Sequence, residues 1–312
     1  MRLSQLHGNE AFSQQMYADA ILAIGEGREH ENAIELCQDE KTEMMKVGLP
    51  TMQYFVKDAL YCNGKESLNS LVDALLWLYP NGFDPSEMQR KCILASTNDS
   101  VDFWNEKVQQ MNNNELWHLR SKDYLCEIDD PHGILANCLN ERVLNRFYAN
   151  GVPKHDLYLK VDDVCIVLRC LKGSDLATNI RVKILNIEEF VLRCEVLDGS
   201  NRIVLIPRIR FKFKLDYGDS FYMMRLQFPL RLAYCMTYNK SQSQTYDQVL
   251  LDVRGEPFSD GHLYVAGSRI RIHSNIRAFV CRSQLHGNID GVMPEVANIV
   301  YSKVLNATRN QA

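Results

Sequence analysis

The hydrophobic pattern changes character twice along the chain. Residues 1–90 read as helices and loops. Ala11 to Ile24 and Leu68 to Leu78 are long and apolar enough for helices, broken by Ile24-Gly25-Glu26-Gly27 and ended by Pro80-Asn81-Gly82. Lys91 to Ala95 is a short apolar run, and the Ser96-Thr97-Asn98-Asp99 behind it supplies a turn and a helix N-cap. A helix is therefore predicted from Val101 to about Met111. Strand, loop and helix in that order are the building unit of an α/β sheet.

From about residue 157 the texture becomes short β-branched runs between Gly, Asp and Asn turns. Leu157 to Lys160, Val164 to Arg169, Arg181 to Leu185, Phe190 to Val196 and Arg202 to Pro207 predict the strands of a small all-β barrel. After Phe228-Pro229 the α/β texture returns. Val249 to Val253 predicts a buried parallel strand, Gly261 to Arg269 a helix, and Ile270 to Cys281 has strand character. The expected organisation is an α/β domain interrupted by a barrel, with segments 1–153, 154–224 and 225–312.

Composition narrows the class. Of 312 residues, 46% are hydrophobic and 24% charged, which fits a folded chain and argues against disorder. No apolar run approaches the roughly 18–20 residues of a membrane span, and the polar start has no signal-peptide core. The 10 cysteines include no CxxC pair and are expected to be reduced thiols of an intracellular protein. The net charge of -4 conceals a gradient: residues 1–153 carry -10, whereas 154–225 and 226–312 each carry +3. An anionic partner is steered toward the C-terminal half. This excludes a uniformly basic nucleic-acid coat and leaves room for a local nucleic-acid groove.

Candidate chemistry is unevenly spread. In Arg208-Ile-Arg-Phe-Lys-Phe-Lys214, strict alternation puts Arg208, Arg210, Lys212 and Lys214 on one strand face and Ile209, Phe211 and Phe213 on the other. Such a face is either a solvated sheet surface over a core or a track for phosphates. Cys126, His132 and Cys138 lie at five-residue gaps, with His118 nearby. That spacing is poor for zinc, and buried thiols with a loop histidine are the better reading. Cys165 and Cys170 fall on opposite faces of any strand, so no metal is expected. The sequence contains no GxxxxGK[ST] phosphate loop; Asn63-Gly64-Lys65-Glu66 lacks both the leading glycine and the hydroxyl. Gln38-Asp39-Glu40 is a weak candidate for a magnesium-binding acid.

Residues 225–271 decide the matter. Thr237, Asn239, Lys240, Ser241, Gln242, Gln244 and Thr245 match the pattern T-x-N/H-K-S-Q-G-Q-T. Phe258, Ser259, Gly261, Leu263 to Ala266, Ser268 and Arg269 match F-S-x-G-Q-L-Y-V-A-L-S-R. These resemble motifs V and VI of the petite-integration-frequency (PIF-type) DNA helicases of superfamily one B, and in particular the helicase part of Helitron transposons. The likeness extends over nearly the whole chain. Ile93 to Asn98 resembles the motif that opens the family's second RecA-like domain, and Leu159-Lys160-Val161 and Ile206-Pro207-Arg208 resemble the borders of its small barrel. Asn298-Ile299-Val300-Tyr301 resembles its last strand, and Met1-Arg2-Leu3 the tail of a motif whose arginine reaches the γ-phosphate.

The resemblance implies an α/β fold: a RecA-like parallel-sheet domain, the second motor domain, with an inserted small Src-homology-like β-barrel. It implies the C-terminal half of an ATP-dependent 5′-to-3′ DNA helicase acting in repair, recombination or telomere maintenance. ATP and Mg2+ would be held only together with a first domain that brings the phosphate loop, so the chain alone is expected to be inactive. Arg269 and Arg2 would stabilise charge on the transferred phosphoryl group. Lys240, Ser241, Gln242 and Gln244 would couple nucleotide state to DNA. Thr97, Asn98, Thr237 and Asn239, with the basic strand, would contact single-stranded DNA or DNA junctions. A monomer in the nucleus is expected. The alternative is a non-catalytic single-strand-binding module or an inactive transposon relic. Three departures stand out. Ser243 replaces a glycine, Gly267 replaces a leucine and is expected to loosen the helix that aims Arg269, and Thr178-Asn179-Ile180-Arg181 replaces an asparagine-glycine-threonine-arginine turn.

Overall fold

The computed structural model describes residues 9–26, 34–35, 44–48, 53–57, 70–128, 141–147, 149–171, 176–217, 219–242, 244–255, 259–281, 285–286 and 293–299. The chain divides into two compact units, one of residues 1–108 and 234–312 and one of residues 109–233. The first unit begins with α1 (Asn9–Gly25), β1 (Ile34–Glu35), β2 (Met44–Gly48), β3 (Gln53–Lys57), α2 (Ser70–Leu78), α3 (Pro85–Met88), β4 (Lys91–Ala95) and α4 (Asn98–Gln109). The second holds β5 (Trp117–Arg120), β6 (Lys122–Ile128), β7 (Asp156–Leu159), β8 (Val164–Val167), β9 (Arg181–Ile187), β10 (Val191–Val196), β11 (Ile203–Pro207), β12 (Ile209–Tyr217), β13 (Asp219–Gln227) and β14 (Leu230–Leu232). The first unit resumes with β15 (Cys235–Thr237), β16 (Gln248–Asp252), β17 (Ile276–Cys281), β18 (Leu285–His286) and β19 (Met293–Ile299).

The first unit is built on a five-stranded sheet in the order β15-β4-β16-β17-β3, parallel throughout. Cys92 to Ala95 and Val249 to Leu251 are fully buried. A strand covered on both faces needs an unbroken apolar run, which is why these two were legible. Helix α4 lays Val101, Trp104 and Val108 into the same core, and the Trp104 ring meets Phe279 edge-on at 5.1 Å. Burying one such side chain stabilises by about 1.5–3 kcal/mol.

The expectation of helices and loops alone before residue 90 is corrected by β3, which pairs in parallel with β17 at the sheet edge. It is corrected again by β2, which lies in a separate antiparallel sheet of order β1-β2-β19-β18. Tyr54-Phe55-Val56 is too short a run to declare itself, and long-range pairing decides it. The sequence expected to form the last strand, Asn298 to Tyr301, supplies Asn298 and Ile299 to β19; residues 300 and 301 lie outside the described ones.

In the second unit a five-stranded antiparallel sheet, β11-β10-β9-β8-β14, and the β5–β7 pair enclose one core. Leu119, Leu159, Val167, Val182, Ile184, Leu192, Cys194 and Phe228 are among its buried members. All five runs expected to form barrel strands are strands. The compact unit is wider than 154–224, running from Gln109 to Ala233, because β5 pairs with β7 and β6 pairs with β13. Asn179 has φ +68, the left-handed conformation, which asparagine tolerates better than most residues. The third sheet, β12-β13-β6, is antiparallel. Among the described residues no helix is long and apolar enough to cross a membrane.

Candidate functional site

β15, β4 and β16 are adjacent and parallel, with Thr237 opposite Ala95 and Asp252 opposite Ala95 on the other side. The segments that follow them, 96–98, 238–242 and 253–255, therefore leave one carboxyl edge, where open α/β sheets bind ligands. The segments are closely fitted. A Cβ on Gly255 would stand 2.5 Å from Ser96 Oγ, so a side chain there would displace the Ser96 hydroxyl.

Most of the motif hydroxyls at this edge are turned to local structure. Thr97 Oγ1 accepts from Ser100 N at 3.2 Å, capping α4, and donates to Ser100 Oγ at 3.0 Å. Ser241 is buried and donates to Tyr238 O at 2.6 Å, closing the 3-10 turn Tyr238–Ser241. Gln244 Oε1 accepts from the Tyr246 hydroxyl. Asn98, Asn239 and Gln242 are the solvent-exposed ones among these side chains, and Thr237 and Lys240 are half-buried.

Sequence reasoning missed what supports the turn. Tyr238 is buried and donates to Asp252 O at 2.7 Å; burial holds its phenol well above the ordinary range. The Asp252 carboxylate accepts from Arg254 Nε at 2.8 Å, Arg254 Nη2 at 2.7 Å and Trp104 Nε1 at 2.7 Å. The Arg254 guanidinium lies 4.6 Å from the centre of the Phe279 ring. The only signal was a Trp, an Asp and an Arg at no motif spacing.

Arg269 follows the short helix His262–Gly267. Its Nε donates to Val265 O at 2.8 Å and its Nη2 to Ser268 Oγ at 2.7 Å, so the half-buried guanidinium is folded on its own helix end. Its backbone is clamped by motif V: Tyr246 N donates to Arg269 O at 2.9 Å and Arg271 N to Tyr246 O at 3.2 Å. His262, at the motif's glutamine position, meets the Tyr238 ring edge-on at 5.9 Å. Burial lowers its pKa, with Asp260 opposing.

The expected loosening at Gly267 is corrected. A Cβ there would meet Ile21 Cδ1 at 2.6 Å, and Gly267 O accepts from the buried Tyr17 hydroxyl at 3.0 Å. Helix α1 occupies the space a leucine would fill, and the reverse contact is as tight, since a Cβ on Gly25 would meet the Tyr264 ring at 2.8 Å. Arg2, Ser243, Phe258, His132, Cys138 and Gln38 to Glu40 lie outside the described residues.

In the second unit the basic strand is β12. Arg210, Lys212 and Lys214 are exposed along one face, and Phe211 is buried on the other. Arg208 departs from them. It precedes β12, donates to Glu189 O at 3.0 Å, Arg120 O at 2.6 Å and Gln227 Oε1 at 3.1 Å, and lies 4.6 Å from the Phe228 ring centre. Carbonyl partners and a ring hold it as a clamp between strands, so it leaves the cationic row. On the inner face Arg225 and Asp123, 1% and 0% exposed, form a forked pair: Nε to Oδ1 at 3.0 Å and Nη2 to Oδ2 at 2.8 Å. His155 Nδ1 lies 3.0 Å from Asp123 Oδ2, and Ser121 Oγ donates to Asp123 Oδ1 at 2.6 Å.

No family model matches the chain. The ATP-dependent DNA helicase PIF1 of Rattus norvegicus is 25% identical over 128 residues, covering 35% of this chain and 20% of that protein. The crystal structure of Pif1 helicase from Candida albicans superposes on 96% of this chain with a TM-score of 0.54 and 18% identity. Over part of its length the chain is similar to Pif1 helicases. Bacteroides Pif1 bound to ssDNA is also similar, at 17% identity and a TM-score of 0.45 over 67% of this chain. The chain spans 58% of the Candida Pif1 and 48% of the Bacteroides Pif1. With the Candida structure, the α/β fold is established as a parallel-sheet RecA-like domain carrying an inserted β domain.

Proposed function

We propose that this chain is the C-terminal half of an ATP-dependent 5′-to-3′ DNA helicase, supplying the second motor domain and its barrel insert. The observation that carries the proposal is the shared carboxyl edge. Asn98, Asn239 and Gln242 present exposed amides there, while Tyr246 ties the same motif to the backbone of Arg269. A shift of the 238–242 turn on DNA would pass along 244–246 to Arg269. Short polar side chains suit phosphates, and contacts of this kind are blind to sequence.

Arg269 acts in this proposal by facing the charge that develops on a transferred phosphoryl group. To do so its guanidinium leaves Val265 O and Ser268 Oγ, at about 1.5–3 kcal/mol for each of the two charged hydrogen bonds. An arginine in that role gives about 10³–10⁵ in rate in other nucleotide hydrolases, roughly 4–7 kcal/mol, which is of the size needed to offset that loss. The phosphate loop is not in this sequence, and among the described residues no three His, Cys, Asp or Glu side chains cluster as metal ligands. In this proposal ATP and Mg2+ are held together with a domain that brings that loop. Service in repair, recombination or telomere maintenance, a monomeric state and a nuclear setting belong to the same proposal.

The test is DNA-stimulated phosphate release from the chain alone and from the chain joined to a phosphate-loop domain of a relative. Turnover is expected only in the joined protein, falling about 10³-fold in Arg269→Ala. Turnover by the chain alone, or an Arg269→Ala variant as fast as its parent, overturns it. The second reading, a non-catalytic single-strand-binding module, draws on the exposed row Arg210, Lys212 and Lys214. Oligonucleotide binding without turnover in either protein would support that one.

A further inference from the structure

The outer face of the β12-β13-β6 sheet holds more than the basic strand. Pairing sets three rows across it. Lys122, Leu226 and Arg210 form the first, Tyr124, Met224 and Lys212 the second, and Cys126, Tyr222 and Lys214 the third. Directly paired residues share a face, and successive rows stand about 6.8 Å apart. Each row therefore carries a cation on β12, the first carries a second cation on β6, and the other two each carry a tyrosine. Tyr124 is 42% exposed, and Lys122, Arg210, Lys212 and Lys214 are exposed. Lys212 Nζ stands 4.7 Å from the centre of the Tyr222 ring, which holds the ammonium at the surface beside an aromatic face.

No carboxylate falls in these rows. Asp123 points to the opposite face, committed to Arg225, and Asp216 marks the next row toward the hairpin turn. A face evolved only for solvation would not need two tyrosines, a methionine and a leucine between its cations. An acidic peptide would use the cations and leave the rings idle. Rings interleaved with cations suit a chain of phosphates that carries flat, unpaired bases.

We propose that this face is a stacking platform for single-stranded nucleic acid. Tyr124 and Tyr222 take bases on their rings, and Lys122, Arg210, Lys212 and Lys214 take phosphates. The proposal rests on reading the basic strand as a nucleic-acid contact. It adds the two tyrosines and Lys122, and it places the contact within the second unit, needing no nucleotide.

The test is fluorescence anisotropy of the full chain with a labelled oligothymidylate of about 15 nucleotides, within the 4–16 range of such sites, and with an abasic oligomer of equal length. Binding to the oligothymidylate is expected to weaken about tenfold in Tyr124→Ala and to be retained in Tyr124→Phe. The wild-type chain should bind the abasic oligomer about a hundredfold more weakly, and Tyr124→Ala should narrow that preference to about tenfold, the share left to Tyr222. Lys212→Gln with Lys214→Gln should lower the salt slope by about 2. Equal wild-type binding to both oligomers overturns the platform, as does displacement of either by an acidic peptide of equal charge. If Tyr124→Ala fails to fold, the abasic comparison on the wild type still decides. Arg269→Ala is expected to bind the oligothymidylate like the wild type. Loss of the base preference with Arg269-dependent turnover intact would sink the platform and spare the motor; the converse would do the reverse.

Discussion

At the carboxyl edge of the parallel sheet, polar side chains turn inward. Ser241 closes its own turn and Thr97 caps α4; away from that edge, Arg269 likewise folds onto Val265 O. On the outer face of the three-stranded sheet, Arg210, Lys212 and Lys214 turn outward, while the same strands bury Arg225 against Asp123 behind them. The difference is one of backbone. A turn leaves amides and carbonyls that nearby hydroxyls must satisfy, so a motif rich in Ser and Thr spends many of them on shape. A strand satisfies its backbone in the ladder, so its alternate side chains are free to differ completely between faces. Motif V and VI residues thus mostly set geometry, whereas the ribbon sets surface.

The largest expected break in this comparison is Arg225→Met, which strands the Asp123 carboxylate in the second unit's interior. Urea unfolding should show a loss of about 3–5 kcal/mol, and pairing it with Asp123→Leu should recover most of that loss. A loss below about 1 kcal/mol would mean the buried pair is far less important than its geometry indicates.

Next is Gly267→Leu, which installs the residue of the family pattern. Overpacking against Ile21 and Tyr17 should cost about 1–3 kcal/mol in the same measurement. Adding Ile21→Ala should relieve it. A stabilised Gly267→Leu would show that α1 gives way and that the space is not fixed.

Thr97→Ala should cost about 1 kcal/mol through the lost cap. An unchanged melt with weaker oligonucleotide binding would move that hydroxyl from the helix to the DNA and blur the contrast between the two regions.

The smallest effect concerns pH. Because burial depresses the His262 pKa, the folded state disfavours its protonation. Its share of stability is full above the ordinary histidine value near 6.5 and is lost as pH falls below it. His262→Gln should flatten thermal stability across that acid window, measured by circular dichroism melts. A slope that persists in the variant assigns the acid loss to other groups.

The strands β4 and β16, the helix α4 and the five barrel runs were legible because each carries its own burial pattern, unbroken apolar for doubly covered strands and β-branched between turn residues in the barrel. Motif spacing marks Lys240 and Arg269 as candidates only, without reference to the fold. The rest belongs to long-range contact. β3 is a strand only because β17 offers it a partner, Gly267 is tight only because α1 folds onto it, and Arg208 leaves the cationic row because carbonyls from distant segments reach it. Lys122 and Tyr124 join the basic face through the register of β6 against β13. The local pattern fixes which face of an element a side chain occupies. Which neighbour that face meets depends on chain segments far away in sequence, and so on the folded whole.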